Sequence, residues 1–369
     1  MRLLITTTLV LGALLAPAGA DETAKAQPRT IDLAICLDTS NSMDGLIDAA
    51  RRKIWTIVND LALAKPTPHL RVAVLAYGND NYDKGAGWVK VQATFTEDLD
   101  HVSKTLFGLA TRGGTEYVGR VLQSALTLPW QEDKGALKLI IVSGNESAAQ
   151  DATVDYRQMC RAAIARGIMI NPIYCMRAEN VADTWKEIAR LSDGHYAAID
   201  QNRTVDVASP FDAQLAALSA EVNKTYVAFG KKGQEGLAKQ KAADVNARNL
   251  SAGSAADRAQ SKAGALYRNS WCLAESVKQG TIKIEDVKEE DLPKELRGKT
   301  LDEKRAYLEA KFKVREAIQG QIKELHAKRQ LWLAAELKRQ GADDDKSFDA
   351  AVRRALRVQA EAKGYEFEK

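Results

Sequence analysis

Residues that often perform catalysis are scarce in this chain. Only four of its 369 residues are histidines, and none of the four has the spacing of a metal ligand or lies in a nucleophile pattern. The chain also lacks the glycine patterns that bind phosphate groups or dinucleotides. We therefore expect that the protein is not an enzyme.

An excess of one charge is also missing. The chain has 53 basic and 49 acidic residues, which gives a formal net charge of +4. No basic patch interleaved with aromatic residues is visible, so we expect no nucleic-acid partner. Hydrophobic residues make up 45% of the chain, which is enough for an ordinary core. A chain of this length predicts about two domains.

Long apolar runs are rare, and the clearest one lies at the N-terminus. Arg2 is followed by an apolar run over 3–15, which is shorter than the ~20 residues that a membrane-spanning helix needs. Small residues at Ala18 and Ala20 then form the pattern of a signal-peptide cleavage site. We expect a signal peptide over 1–20, and a periplasmic or secreted mature protein that has no membrane span.

Cysteine is scarce too, with four in the chain. Export permits disulfides, and Cys160 and Cys175 flank a predicted helix-to-strand turn. Seven residues of helix rise only ~10 Å whereas eight residues of strand rise ~26 Å, so a bridge between them needs a short or bent strand. The pairing stays open, and Cys36 is expected to be a small core residue.

Apolar runs and helical spacings alternate through the first half of the chain. The apolar runs predict strands at 31–37, 70–77, 88–95, 136–142, 168–174 and 195–199. The helical spacings predict helices at 43–61, 99–110, 116–128, 156–165 and 182–191. This alternation predicts an α/β domain with a doubly wound, mostly parallel sheet. Right-handed crossovers then place the strand-to-helix loops at one edge of that sheet.

The composition changes after about residue 205. We expect the following divisions: signal peptide 1–20, linker 21–29, α/β domain 30–205, connecting helix and strap 206–230, and helical C-terminal region 231–369. Residues 230–257 offer little to bury, and 254–278 are predicted to be helical. Thr300 and Glu303 form a capping box that begins a long helix to about residue 339.

A turn at 343–346 and a last helix over 347–362 are predicted to end the chain. The long helix has a nearly complete heptad seam that is broken at Arg329. Two arrangements stay open for this region. One is a helical hairpin packed on itself or on the first domain, and the other is an intermolecular coiled coil.

The most informative motif is Asp38-Thr39-Ser40-Asn41-Ser42, directly after the first predicted strand. It brings one carboxylate and two hydroxyls to one loop. Hard divalent cations such as Mg²⁺ prefer oxygen ligands of this kind. In open α/β sheets, ligands bind at the carboxyl ends of the strands, which is where this motif lies.

This motif, Thr115 after a glycine pair, and the strand-end loop at Asn145 together resemble the von Willebrand factor type A (vWA) domain with its metal-ion-dependent adhesion site (MIDAS). The resemblance covers about residues 30–205. The phrases at 113–117, 171–175 and 265–271 are more narrowly similar to a bacterial branch of exported proteins that carry a helical C-terminal extension.

The resemblance implies a Rossmann-like fold and a site for Mg²⁺, Mn²⁺ or Ca²⁺. Ser40 and Ser42 would give hydroxyls directly to the metal, and Thr115 would bind it directly or through water. Asp38 would hold the site together through a bound water and the hydroxyls. One metal position would remain open for the exposed Asp or Glu of a protein partner.

The loop after the fourth predicted strand departs from the family pattern, which has a second aspartate there. Here the loop reads Ser143-Gly144-Asn145-Glu146. Either Asn145 takes the aspartate position and keeps an oxygen ligand, which we favour, or Gly144 takes it and the ligand is lost. In both alignments one negative charge is missing at that position. Glu146 is a candidate to replace it or to mimic the carboxylate of a partner.

These observations predict an exported binding protein that captures an acidic group through a divalent metal. The alternative is a structural component of an envelope assembly, which acts through its helical tail and has a vestigial metal site whose Ser and Thr serve as helix caps. The polar loop at 79–83 suggests a second cation site, but its spacing fails the EF-hand pattern, and a solvated turn is the better interpretation.

Overall fold

The computed structural model describes residues 29–175, 179–200, 207–341 and 347–367. The predicted signal peptide, the predicted linker up to residue 28 and the predicted turn at 343–346 lie outside the described residues. In the described part of the chain, no helix combines the length and the apolar character needed to cross a membrane.

The described residues contain eight strands, of which six form the central sheet and two form a separate pair. The strands of the described residues are β1 (Thr30–Asp38), β2 (Ala64–Lys65), β3 (His69–Tyr77), β4 (Val89–Thr96), β5 (Leu137–Gly144), β6 (Ile168–Tyr174), β7 (Ala197–Ala198) and β8 (Glu366–Phe367). The sheet order is β4-β3-β1-β5-β6-β7, in which only β4 runs antiparallel to its neighbour. The predicted doubly wound, mostly parallel sheet is therefore confirmed.

Helices cover both faces of this sheet. The first five are α1 (Asp44–Leu61), α2 (Leu99–Phe107), α3 (Val118–Leu126), α4 (Tyr156–Ala165) and α5 (Glu179–Leu191). Alternate residues of a strand point to opposite faces. Leu33 and Leu37 of β1 accordingly pack with α1 and α2, whereas Ala34 and Cys36 pack with α3, α4 and α5. Strand β1 is buried on both faces and carries Asp38 to the carboxyl edge.

The cysteines do not bridge. All four are free and buried. Cys160 lies in the core on one face of the sheet, and Cys175 lies in the core on the other face. The bridge that the sequence left open therefore does not form.

In the described residues, six further α-helices follow the sheet. They are α6 (Asp212–Asn223), α7 (Gly230–Leu250), α8 (Ala252–Ala263), α9 (Leu273–Lys278), α10 (Leu301–Gln340) and α11 (Phe348–Glu361). The predicted capping box is present, with Thr300 as the N-cap of α10.

Residues 230–250, which offer little to bury, form a helix whose buried residues are small or polar. Gly236 lies so close to Trp271 that a Cβ there would be 2.3 Å from the indole. One local prediction for this region is wrong. The predicted helix over 254–278 is two helices, because the chain becomes extended at Gly264 and resumes a helix only at Leu273.

The last helix returns to the sheet. Phe348, Val352 and Leu356 of α11 belong to the same buried core as β1 and α1. The side-chain amides of Gln359 and Asn171 exchange two buried hydrogen bonds of 2.8 and 3.0 Å, which tie α11 to β6. The helical region is therefore packed on the sheet domain, which is the arrangement of the first alternative. The intermolecular coiled coil stays a prediction.

Buried charges join the helical region to the first domain. Arg258 of α8 is 1% exposed and lies 2.8 Å from both Asp100 of α2 and Asp244 of α7. Its guanidinium also lies 4.3 Å from the ring centre of Trp55 in α1. Burial by itself raises the pKa of Asp244, but the charges of Arg258 and Lys262 outweigh burial and bring this pKa down to about 2.

Arg329 interrupts the predicted heptad seam because it points into the protein. It is 3% exposed and donates to Asp212 at 2.6 Å and to Asp257 at 2.8 Å. These ion pairs attach α10 to α6 and α8. A buried arginine of this kind is costly to leave unpaired, so both carboxylates are needed.

Shortening a buried side chain of α11 is expected to lower the stability of the whole protein. Leu356 is fully buried, so Leu356→Ala should lower the free energy of unfolding by about 2 to 5 kcal/mol. Val358→Ala, on the same helix at a position that is 45% exposed, is the control and should change it by less than about 0.5 kcal/mol. Urea unfolding followed by circular dichroism should show one transition, and two separate transitions with only one shifted would contradict the shared core.

Candidate metal centre

The serine loop (38–42) follows β1 directly. Asp38 is fully buried, and its Oδ1 accepts a hydrogen bond of 2.8 Å from the backbone N–H of Ser40. The hydroxyl oxygens of Ser40 and Ser42 lie 3.3 Å apart. The structure therefore brings three of the predicted site residues together at the carboxyl edge of the sheet, immediately before α1.

Asn145 joins them from the loop after β5. Its side-chain nitrogen donates to the hydroxyl of Ser42 at 3.0 Å. At an amide, nitrogen and oxygen are assigned from such contacts, so the firm observation is that this amide touches the serine hydroxyl. The amide of Asn145 therefore lies beside Ser42, and its role as an oxygen ligand, which the preferred alignment implies, stays a prediction.

Gly144 faces the same space but has no room for a side chain. A Cβ at this position would lie 2.4 Å from the Tyr77 hydroxyl and 3.1 Å from Asp38 Oδ2. The Tyr77 hydroxyl itself donates to the carbonyl of Ser143 at 3.1 Å. The tyrosine therefore fills the volume that a side chain at position 144 would need.

Thr115 lies in a loop that docks against the serine loop. The N–H of Arg112 donates to the carbonyl of Thr39 at 2.9 Å, and the N–H of Asn41 donates to the carbonyl of Gly113 at 3.1 Å. Thr115 follows two residues later and is partly exposed. The loop that carries Thr115 therefore lies against the serine loop. Among the described residues, Thr115 itself has no direct hydrogen bond to Asp38, Ser40 or Ser42.

Sequence reasoning missed the residue after Thr115. Glu116 is 5% exposed, and its side chain packs against Gly78 beside Asp38. Its only signal in the sequence is adjacency to Thr115. Glu146, on the loop after β5, is exposed, and its carbonyl accepts a hydrogen bond of 2.8 Å from the indole of Trp185.

The site carries negative charge without a protein cation. Burial raises the pKa of Asp38 to about 7, against the lowering effect of its hydrogen bonds with Ser40, and the charges of Glu116 and Glu146 raise it further. Burial also raises the pKa of Glu116, where Glu146 is again the neighbouring charge that acts. Among the described residues, neither Asp38 nor Glu116 forms an ion pair with a basic side chain.

These side chains fit a hard divalent cation. Asp38 Oδ2 is buried and has no hydrogen-bond partner in the described structure. The same loop carries the hydroxyls of Ser40 and Ser42, and the amide of Asn145 contacts Ser42; hydroxyls and amide oxygens are neutral ligands of the kind that Mg²⁺ and Ca²⁺ accept. No three acidic, histidine or cysteine side chains of the described residues are arranged to hold a metal, so a cation here depends on the serine hydroxyls.

The polar loop at 79–83 has a structural explanation. Asn79 is buried, and its side chain donates to the carbonyls of Ala110 at 2.7 Å and Thr39 at 3.3 Å. Its Oδ1 accepts from the N–H of Asn81 at 3.0 Å. The side chain of Asn79 therefore supports the serine loop through the carbonyl of Thr39. Its amide nitrogen and oxygen already have backbone hydrogen-bond partners.

Residues 32–210 match the family model of the von Willebrand factor type A domain. The sheet order and the two helical layers are those of this fold, as the resemblance implied. This part of the chain is therefore a vWA domain, and the helices after it form an additional region. No curated protein matches the chain.

Several solved structures are similar to this chain over less than half of its length. The SpRpn10 VWA domain is 15% identical, covers 46% of this chain and 88% of its own, and has a TM-score of 0.36. A von Willebrand factor type A protein from Catenulispora acidiphila is 16% identical, with 47% and 38% covered and a TM-score of 0.35. The proximal thread matrix protein 1 from the mussel byssus, with a zinc-occupied MIDAS motif, is 12% identical, with 46% and 42% covered and a TM-score of 0.36.

A side chain at position 144 should collide with Tyr77. Gly144→Ala is expected to lower the free energy of unfolding by about 1 to 3 kcal/mol, because its Cβ overlaps the phenolic oxygen. The double variant Gly144→Ala with Tyr77→Phe should lose less than the sum of the two single variants, since the colliding atom is gone. Urea unfolding of the four proteins measures this coupling, and simple additivity would contradict the assigned overlap.

Proposed function

We propose that this protein binds a divalent cation at the serine loop and uses it to capture an acidic group of a partner protein. The observation that carries the proposal is the buried oxygen Oδ2 of Asp38, which has no hydrogen-bond partner among the described residues. The Asp38 carboxylate belongs to the loop that carries the Ser40 and Ser42 hydroxyls, and Glu116 packs beside it on Gly78. Such a group is expensive to bury unless a cation compensates it.

Each residue has a chemical role in this proposal. Ser40 and Ser42 hold the cation through their hydroxyls, and Asp38 supplies charge and orders the serine loop. Thr115 and Asn145 add neutral oxygen ligands, directly or through water. When bound, the cation supplies a positive centre that attracts an external carboxylate. Mg²⁺ is the first candidate, with Mn²⁺ and Ca²⁺ as substitutes.

The proposal places the protein outside the cytoplasm, on the strength of the N-terminal sequence pattern, and assigns it no catalytic activity. The competing hypothesis is a structural role in an envelope assembly through the helical region. Because α11 shares a core with the vWA domain, deletion of 231–369 would remove buried core residues and is a poor test. Point changes on exposed positions of α10, such as Leu331 at 76% exposure, test that hypothesis instead.

The metal proposal predicts ligand-dependent stability. A ligand that binds only the folded state and is present at about 100 times its Kd adds about 2.7 kcal/mol. A thermal melt of the purified protein in EDTA, and then with Mg²⁺, Mn²⁺ or Ca²⁺, should show a rise in Tm. Asp38→Asn should abolish that rise while leaving the Tm in EDTA unchanged or higher, because it removes a buried charge.

Glu132→Gln is the matched control, since Glu132 is exposed in the segment before β5 at the opposite end of the sheet. It should keep the full metal response. The absence of any metal response in the unmodified protein would defeat the proposal and favour the structural role. If the response is present, a partner should be retained in Mg²⁺ and released by EDTA.

A further inference from the structure

We infer that Glu116 supplies the negative charge that the loop after β5 lacks, and that it is the second carboxylate of the cation site. This inference rests on the proposed function and specifies how its site is completed. The end of β5 and the loop after it contribute Gly144, which has no room for a side chain, the neutral amide of Asn145, and Glu146, which is exposed. A buried second carboxylate must therefore come from another element.

Glu116 lies against the same backbone position as Asp38. Gly78, at the end of β3, has φ +73°, and a Cβ there would lie 2.9 Å from Asp38 Oδ1 and 3.0 Å from Glu116 Cγ. Both side chains thus pack on one glycine. Ser40 fixes one of the two carboxylates, since its backbone N–H donates to Asp38 Oδ1 at 2.8 Å.

Two carboxylates that share a buried site repel each other strongly. The interaction of two charges grows as the local dielectric constant falls, so burial makes this pair more costly than an exposed one. Neither has a basic partner among the described residues. A bound cation would offset this repulsion, and Asp38, Glu116 and the two serine hydroxyls would supply hard oxygen ligands to it.

Glu146 is the less suitable source of this charge. It is exposed, and its carboxylate accepts a hydrogen bond of 3.4 Å from the side-chain amide of Gln150. The indole of Trp185 fixes its backbone by a hydrogen bond to its carbonyl. Its carboxylate acts on the site as a neighbouring charge that raises the pKa of Asp38. Glu116, which is 5% exposed, is the carboxylate that the fold holds in place.

Metal titration of matched glutamine variants tests this assignment. Binding of Mn²⁺ to the purified protein is measured by the loss of the free-ion electron paramagnetic resonance signal. Glu116→Gln should weaken binding by about tenfold or more, which is the scale on which supporting groups affect metal affinity. Glu146→Gln should weaken it less, and Glu132→Gln should leave it unchanged.

Stability without metal separates a metal role from a purely structural one. In EDTA, Glu116→Gln should melt at the same temperature as the unmodified protein or higher, because it removes an uncompensated buried charge. A glutamate with a purely structural role would instead lose stability in EDTA on this substitution. Glu116→Asp keeps the charge, so it should recover part of the affinity and also serves if the glutamine variant fails to fold.

The outcomes distinguish this inference from the proposed function. Mn²⁺ binding that is equal in Glu116→Gln and in the unmodified protein would overturn the assignment of Glu116 while leaving the cation site intact. A failure of Glu116→Asp to bind better than Glu116→Gln would also overturn it. If the unmodified protein binds no Mn²⁺, the proposed function fails, and the inference fails with it.

Discussion

The arrangement of this site depends on negative charge that is buried at the end of β1. Asp38 is carried to the centre of the sheet's carboxyl edge by a strand that is buried on both faces. Glu116 is held beside it, and the nearest compensating groups are hydroxyls and amides. Burial of two carboxylates in this setting is unfavourable in the absence of a cation. Under the proposed function, the loops around them form a frame for a positive ion.

The helical region supports that frame through α1. This helix begins two residues after Ser42, and the C-terminal helices contact it along its length. Arg258 lies over Trp55, Thr56 donates to Asp257 at 3.0 Å, and Arg357 pairs with Asp60 at 2.8 Å. The position of the serine loop is thus fixed from both ends, by β1 and by an α1 that is packed against the additional helices.

The sequence predicted the order of strands and helices of the vWA domain because its apolar runs follow the periodicities of buried strands and amphipathic helices. It also placed Asp38, Ser40, Ser42 and Asn145 near each other, since loops at one sheet edge converge. It did not reveal α11 as a part of the sheet's core, because that contact joins residues far apart in the chain. The sequence did not single out Glu116, because the burial of a carboxylate without a basic partner can be seen only in the three-dimensional structure.

The central claim is that a divalent cation occupies the serine loop. Crystals of the protein grown or soaked with Mn²⁺, measured at a wavelength where manganese scatters anomalously, test it most directly. We predict one strong anomalous peak bounded by the hydroxyls of Ser40 and Ser42 and the carboxylates of Asp38 and Glu116. Fully occupied Mn²⁺ elsewhere on the protein with no peak at this position would contradict the account.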